Sequence, residues 1–262
     1  MNEIIAQISF VNKESAARAK YRFDNLIKPF GSLSNLEETV IRYSAVLGKY
    51  RKQDIILPKR SLLIWSDAGH FAEAEKIING DQSVNVLAEE TGAAVEVLMI
   101  TASSERSSTE EGAALVKEYV KKGDLMLLGY GCLSDAGNDL IISAMAGGIL
   151  QAAALKVPVV VDGIATIKAV LKAAEMAPQV IDYCFASQIT LEPEMENLVK
   201  KLGLSAPLRL NIKDGCGMGA VVEFILFDAA IKVYREMETF EEAGVHVEIK
   251  DFSHVEQMKH RR

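Results

Sequence analysis

The sequence predicts an α/β protein with a mostly parallel sheet, helices on both faces, and a small helical subdomain. Three observations carry that expectation. Short, near-continuous apolar runs recur from Ser61 onward, and each is bounded by Gly, Asp, Ser or Pro. Helix-period segments separate them, the pattern of strands buried on both faces of a parallel sheet. The first 60 residues and the last long apolar stretch read as helix alone.

Taken in order, Lys13 to Leu26 is rich in Ala, Arg and Glu and predicts a helix stopped by Pro29 and Gly31. Ser34 and Glu37 fit an S-x-x-E capping box, in which hydroxyl and carboxylate each satisfy a free backbone donor. Leu36, Val40, Tyr43 and Leu47 then recur at helical spacing. The strands predicted next are "SLLIWS", "AVEVLMI", "DLMLLGY", "VPVVVDG" and "DYCFAS". Helices are expected at 82–91, 110–122, 139–155, 164–176 and 191–202. A last helix from Ala220 to about Glu238 is apolar almost all round and should be sandwiched. The division expected is residues 1–60 with the last helix (about 220–240) as the helical subdomain, and 61–219 as the α/β core.

Composition narrows the function. With 49% apolar residues in 262, the chain can bury a sizeable core. A net charge of −7 argues against nucleic acid, which needs a dense basic face, and the terminal "KHRR" reads as a solvated end. Cys132, Cys184 and Cys216 are far apart and show no C-x-x-C, so neither a disulfide framework nor a zinc ribbon is expected. No signal peptide is visible, and the longest apolar run, Leu140 to Leu155, is too short to span a bilayer. A cytoplasmic protein is expected, with no membrane partner and no cofactor.

Ligands of such sheets sit at the carboxyl ends of strands. Those ends are "SDAGH", "GYGCLSDAG", "VDGIAT" and "ASQIT", and "KDGCGMG" behaves as the last member. Asp67 and Asp162 each follow a strand, where either a helix cap or a ligand contact would use a carboxylate. The glycines Gly215, Gly217 and Gly219 ahead of the last helix suit a small or anionic ligand near the main chain, or a tight turn. Cys216 lies near a helix start, where a thiol can gain reactivity, but a small apolar turn residue fits equally. No P-loop, H-E-x-x-H or G-x-S-x-G motif occurs. The four histidines are dispersed, so no metal site is expected.

Several blocks together resemble one family. "LIKPFGSLSNLEE", "SVNVLAEETGAAVEVL", "IISAMAGGILQAAALKVPVVVDGIAT", "DYCFAS…LEP" and "REMETFEEAGV" are similar, in the same order, to nicotinate-nucleotide:dimethylbenzimidazole phosphoribosyltransferases. The resemblance runs from about Lys20 to Val245. It implies transfer of phosphoribose from nicotinate mononucleotide to an aromatic base during activation of the cobamide lower ligand. It also implies dimers, with itself or with a homologue.

Set against the family's "GEGTGA", the segment "GCGMGA" puts Cys216 where the general-base glutamate stands and Met218 where a threonine stands. The family's phosphate loop "GEMGIGNTT" matches "GYGCLSDAG", so Gly129 is kept, Tyr130 replaces a glutamate and Asp135 brings an unfavourable charge. The helices that full-length members carry after this loop are omitted, as is the Tyr-Pro-Gln loop that helps hold the base. "ADHG" has become "SDAG", which keeps Asp67 and puts Ala68 at the histidine position. The resemblance thus implies a shortened relative with Cys216 at the catalytic position. Asp67, Gly129, Tyr130, Asp162, Gly215, Gly217, Met218 and Gly219 are its candidate ligand contacts. Nicotinate mononucleotide, an aromatic base or a related nucleotide is the expected ligand.

Overall fold

The computed structural model describes residues 1–123, 127–134, 136–213 and 215–245. Among these, five strands form one parallel sheet: β1 (Arg60–Ser66), β2 (Ala94–Met99), β3 (Leu127–Cys132), β4 (Val159–Val161) and β5 (Cys184–Ala186). Their order is β2-β1-β3-β4-β5. Ser61 lies opposite Ala94 on one side and Leu128 on the other, and Val160 lies between Gly129 and Phe185. The chain builds outward from β1 to β2, then returns to add β3 on the far side. That reversal opens a crevice beyond the carboxyl ends of β1 and β3, where doubly wound sheets take ligands.

Period-two alternation decides which face each strand residue serves. Leu63, Trp65, Leu128, Tyr130, Val159, Val161, Cys184 and Ala186 share one apolar cluster with α6 (Glu105–Gly123), α7 (Asp139–Ala154) and α8 (Ile164–Met176). Leu62, Ile64, Leu127, Val160 and Phe185 turn to the other face. There they meet α2 (Lys13–Asp24), α3 (Asn35–Leu47), α4 (Phe71–Ile78), α5 (Ser83–Glu90) and α10 (Met218–Glu236). Two further helices, α1 (Asn2–Gln7) and α9 (Pro193–Lys201), lie among the described residues.

The last helix is sandwiched as its all-round apolar surface requires. Its Phe227 packs edge-on against Tyr43 of α3 and against Phe185 of β5, with centroids 5.9 and 5.1 Å apart. Arg60 at the start of β1 grips Asp228 of α10 with both terminal nitrogens, at 2.9 and 2.6 Å. The N-terminal helices also reach this helix. Phe23 stacks on Tyr234, and Arg22 donates to the Tyr234 and Met237 carbonyls.

Two local expectations need correction. Ser34 adopts φ 44° and its hydroxyl does not cap α3, so no capping box forms. Glu37 turns instead to the Leu33 amide and the Lys28 ammonium, both at the buried join between α2 and α3. The segment after β1 is helical (α4), although the sequence reading places no helix there; Asp67 caps the short 3-10 turn Ala68–His70 that leads into it by accepting the Gly69 amide. The predicted strand residues 124–126 and the basic tail lie outside the described residues.

Candidate functional site

The glycine turn ahead of α10 is held against the end of β3. The Cys132 amide donates to the Gly215 carbonyl at 2.7 Å. A Cβ on Gly131 would stand 2.3 Å from the Cys216 carbonyl carbon, so the two backbones touch with no room for a side chain. Gly217 has φ 90°, a conformation that suits glycine, and it directs the chain into the helix.

The first turn of α10 exposes free amides, and an anion does occupy them. That anion is Asp162, at the end of β4. Its Oδ2 accepts the Gly219 amide at 2.8 Å, while Oδ1 accepts the Ser187 hydroxyl at 2.8 Å and the Gln188 side-chain amide at 3.1 Å. Asp162 is 2% exposed. A Cβ on Gly219 would lie 2.2 Å from Asp162 Oδ1, so glycine there is the condition for the carboxylate's approach. The small anion that this glycine-rich turn invites is therefore supplied by the chain itself.

Asp67, at the end of β1, is similarly engaged. Its Oδ1 accepts the Gly69 amide and bonds His70 Nδ1, both at 2.9 Å. Its Oδ2 accepts the Ser134 hydroxyl at 2.6 Å and the Asn138 amide at 2.8 Å. Partial burial works against ionisation, but the hydrogen bonds from Ser134, His70 and Gly69 outweigh it and hold the carboxyl below its usual range. Asp67 thus laces the β1 and β3 loops together across the crevice, and Asn138 in turn caps α7 through the Leu140 and Ile141 amides.

The other expected contacts divide. Gly129 lies under α10, where a Cβ would meet the Phe224 ring at 2.9 Å. Tyr130 is fully buried on the opposite face, its ring 5.3 Å from Trp65, in space that Gly148 leaves open. Strand alternation gives the two neighbours opposite faces, so the pair does not form one ligand contact. Cys216 and Met218 are half-buried against the apolar cluster of α10, and Met218 receives the Ser83 hydroxyl from α5. Asp135 lies outside the described residues.

Of the expected residues, Asp162 and Gly215 line an open cleft of about 210 Å³ at the ends of β3, β4 and β5. Gln188, Thr190, Glu192 and Lys213 complete its polar wall, and the sequence reading singled out none of them. The signal that could have found Gln188 and Thr190 is "ASQIT", one of the strand ends already placed at the ligand edge, and Lys213 opens "KDGCGMG", another of them. Gln188 is completely buried, and with its amide nitrogen committed to Asp162 its Oε1 has no hydrogen-bond partner among the described residues. Glu192 is exposed at the lip. The neighbouring Thr190 side chain and its own backbone amide hold its carboxyl below the usual range, and the nearby Lys213 adds to that, although the Thr190 hydroxyl makes no hydrogen bond of normal geometry among the described residues. Another buried acid, Glu223 on α10, does not line this cleft. Among the described residues no group of His, Cys, Asp and Glu could hold a metal ion, and no helix is long and apolar enough to cross a membrane.

Comparison with known proteins places this arrangement. A nicotinate-nucleotide–dimethylbenzimidazole phosphoribosyltransferase of Chlorobium chlorochromatii (strain CaD3) is 41% identical over 109 residues, which is 42% of this chain and 31% of that protein. The match thus spans about a third of the relative's length. The enzyme of the same description from Geotalea uraniireducens (strain Rf4) is 25% identical across 94% of this chain and 98% of its own. That alignment needs 349 positions against a chain of 262, so the relative carries insertions that this chain lacks. The fold matches the crystal structure of CobT from Thermus thermophilus with a TM-score of 0.77, at 21% identity, over 89% of this chain and 99% of that one. A family model described as phosphoribosyltransferase matches residues 8–126 and 130–245, most of the sequence, and the chain therefore belongs to that phosphoribosyltransferase family.

Proposed function

We propose that this chain works in cobamide lower-ligand metabolism as a phosphoribosyltransferase-like protein that keeps a ligand cleft while its own catalysis is lost or strongly lowered. What supports the reading is Cys216, which the resemblance sets at the position of the family's proton-accepting glutamate and which packs half-buried against the α10 cluster. A general base contributes about 10²–10⁴-fold in rate, and a protonated thiol is a poor replacement. The ligand class in this reading is nicotinate mononucleotide, an aromatic base or a related nucleotide, as the names of the relatives suggest. The chain acts as a binding protein or as the partner subunit of a homologue, in a homodimer or heterodimer in the cytoplasm. Division into a helical subdomain (1–60 with the last helix) and an α/β core (61–219) belongs to the same proposal; Arg22 and Phe23 reaching Tyr234 support it.

A second reading, active transfer to a different base, draws on Glu192. This carboxylate lines the cleft and is the exposed acid there, although its lowered pKa makes it a weaker proton acceptor. The two readings part in one assay. Purified protein is incubated with nicotinate mononucleotide and a panel of benzimidazoles, purines and phenols, and released nicotinate is measured. No release is expected from the parent chain, nor from Cys216→Glu, because the phosphate loop has changed as well. Turnover by the parent that disappears in Glu192→Gln would establish the second reading. Turnover restored in Cys216→Glu would overturn the argument that the changed phosphate loop also silences the site.

A further inference from the structure

A second cleft, of about 620 Å³, opens where α2, the loop after α3 and the turn after α10 meet. It shares no lining residue with the cleft at the ends of β3, β4 and β5. Its size falls within the roughly 300–1,000 Å³ of common small-molecule sites. Arg18, Arg22, Arg51 and Lys52 line it, four cations against the carboxylates of Glu241 and Glu242, in a chain whose net charge is −7.

The walls are fixed by contacts behind them. Arg22 commits Nε and one terminal nitrogen to the Tyr234 and Met237 carbonyls, and its guanidinium lies 5.5 Å from the Tyr234 ring centroid. The Tyr234 hydroxyl in turn donates to the Tyr50 carbonyl. The Arg51 carbonyl accepts the Asp54 amide at 2.8 Å, and Ile55, completely buried, anchors that loop in the core. A frame of this kind lowers the ordering cost of binding.

The cleft already holds one anion of the chain's own. Glu242 accepts from Lys52 at 2.6 Å, from the Thr239 amide at 2.9 Å and from Arg22 at 3.2 Å, and these contacts bring its carboxyl down to about 2. Lys52 and Arg22 are thereby engaged, whereas Arg18 and Arg51 keep charge to offer. The acid nearest Arg18 is Glu14, 3.7 Å away with both side chains exposed, and Arg51 forms no ion pair among the described residues. Beside them Tyr21, on the same face of α2 as Arg18 and Arg22, is 67% exposed.

Arginine matches phosphate oxygens through paired N–H groups, and an open tyrosine face stacks on a flat ring. We propose that this cleft binds a nucleoside diphosphate, with Arg18 and Arg51 on the phosphates and the base against Tyr21. An acidic peptide would satisfy the arginines and leave the Tyr21 ring in water. The site is separate from the ligand cleft proposed above, and either stands without the other.

The test is calorimetric titration of the full chain with ADP, adenosine, inorganic pyrophosphate and a poly-glutamate peptide, each up to about 1 mM. ADP should bind saturably, and less tightly as salt is raised from about 50 to 200 mM. Adenosine and pyrophosphate should each bind about tenfold or more weakly, since each lacks one part of the contact. Joint replacement Arg18→Glu and Arg51→Glu, both at exposed positions, should lower ADP affinity about tenfold at an unchanged melting temperature. Tyr21→Ala should weaken ADP and leave pyrophosphate as it was. No binding of ADP, ADP binding that survives the double charge reversal, or pyrophosphate binding as tight as that of ADP overturns the inference. A preference for poly-glutamate over ADP overturns it in favour of an acidic segment.

Discussion

Asp162 and Glu192 border the same cleft, yet one is part of the frame and the other faces the solvent. Asp162 is buried and receives a hydroxyl, a side-chain amide and a backbone amide from two other segments. Glu192 is exposed, with the Thr190 hydroxyl and Lys213 for company. Removing a buried charge's donors, or crowding it, leaves groups that water cannot reach, whereas an exposed carboxylate loses little when neutralised. Position relative to water, more than residue type, therefore separates structural acids from acids available to a ligand.

The largest effect expected from this contrast is on Gly219→Ala. The added methyl would lie 2.2 Å from Asp162 Oδ1, so either the carboxylate leaves its three donors or the first turn of α10 moves. Each outcome breaks buried polar contacts, and a loss of about 3 kcal/mol is expected in urea denaturation. A loss below about 1 kcal/mol would mean that the turn yields easily and that Asp162 is not the frame it is taken to be.

Glu223 sharpens the comparison, being buried like Asp162 but lacking its donors. It is 1% exposed, its Oε2 has no hydrogen-bond partner among the described residues, and burial pushes its pKa up from 4.5 to about 8. With the folded value above the unfolded one, the native state binds the extra proton. Stability is then greatest below about pH 4.5 and falls as pH rises towards 8, with a slope approaching about 1.4 kcal/mol per pH unit from this group. Glu223→Gln removes that slope and should be more stable than the parent at pH 8.5 by roughly 2–3 kcal/mol. Parallel stability–pH curves for parent and variant would show that this carboxyl is reached by water after all.

Much of the fold was legible because it rests on local patterns. The near-continuous apolar run in "SLLIWS" placed β1, and the 164–176 stretch gave α8 with its observed ends. Ser34 and Glu37 show where local rules stop: the spacing of a capping box was present, but Lys28 and a positive φ redirected both residues. For the site, the glycines of "GCGMG" suited either an anion near a helix start or a tight turn. They could not tell that it was Asp162, 57 residues away in sequence, because only the sheet order brings β4 beside that turn. Tyr130 was misplaced for a related reason, since its face depends on the β3 register rather than on its neighbours in the loop. Gln188 and Lys213 lie in two stretches, "ASQIT" and "KDGCGMG", that the sequence puts at the ligand edge, but only the fold brings them to one cleft.

The smallest expected effect is the most discriminating. Glu192→Gln keeps the shape of the lip, removes one exposed charge and leaves Asp162 and its donors in place. Its stability should match the parent within about 0.5 kcal/mol, since exposed charges away from buried networks contribute little. A larger loss would move Glu192 from the ligand side of the cleft to the structural side, and the contrast with Asp162 would disappear. An unchanged stability leaves the carboxylate with no structural task, so whatever change then appears in ligand affinity belongs to contact with the ligand.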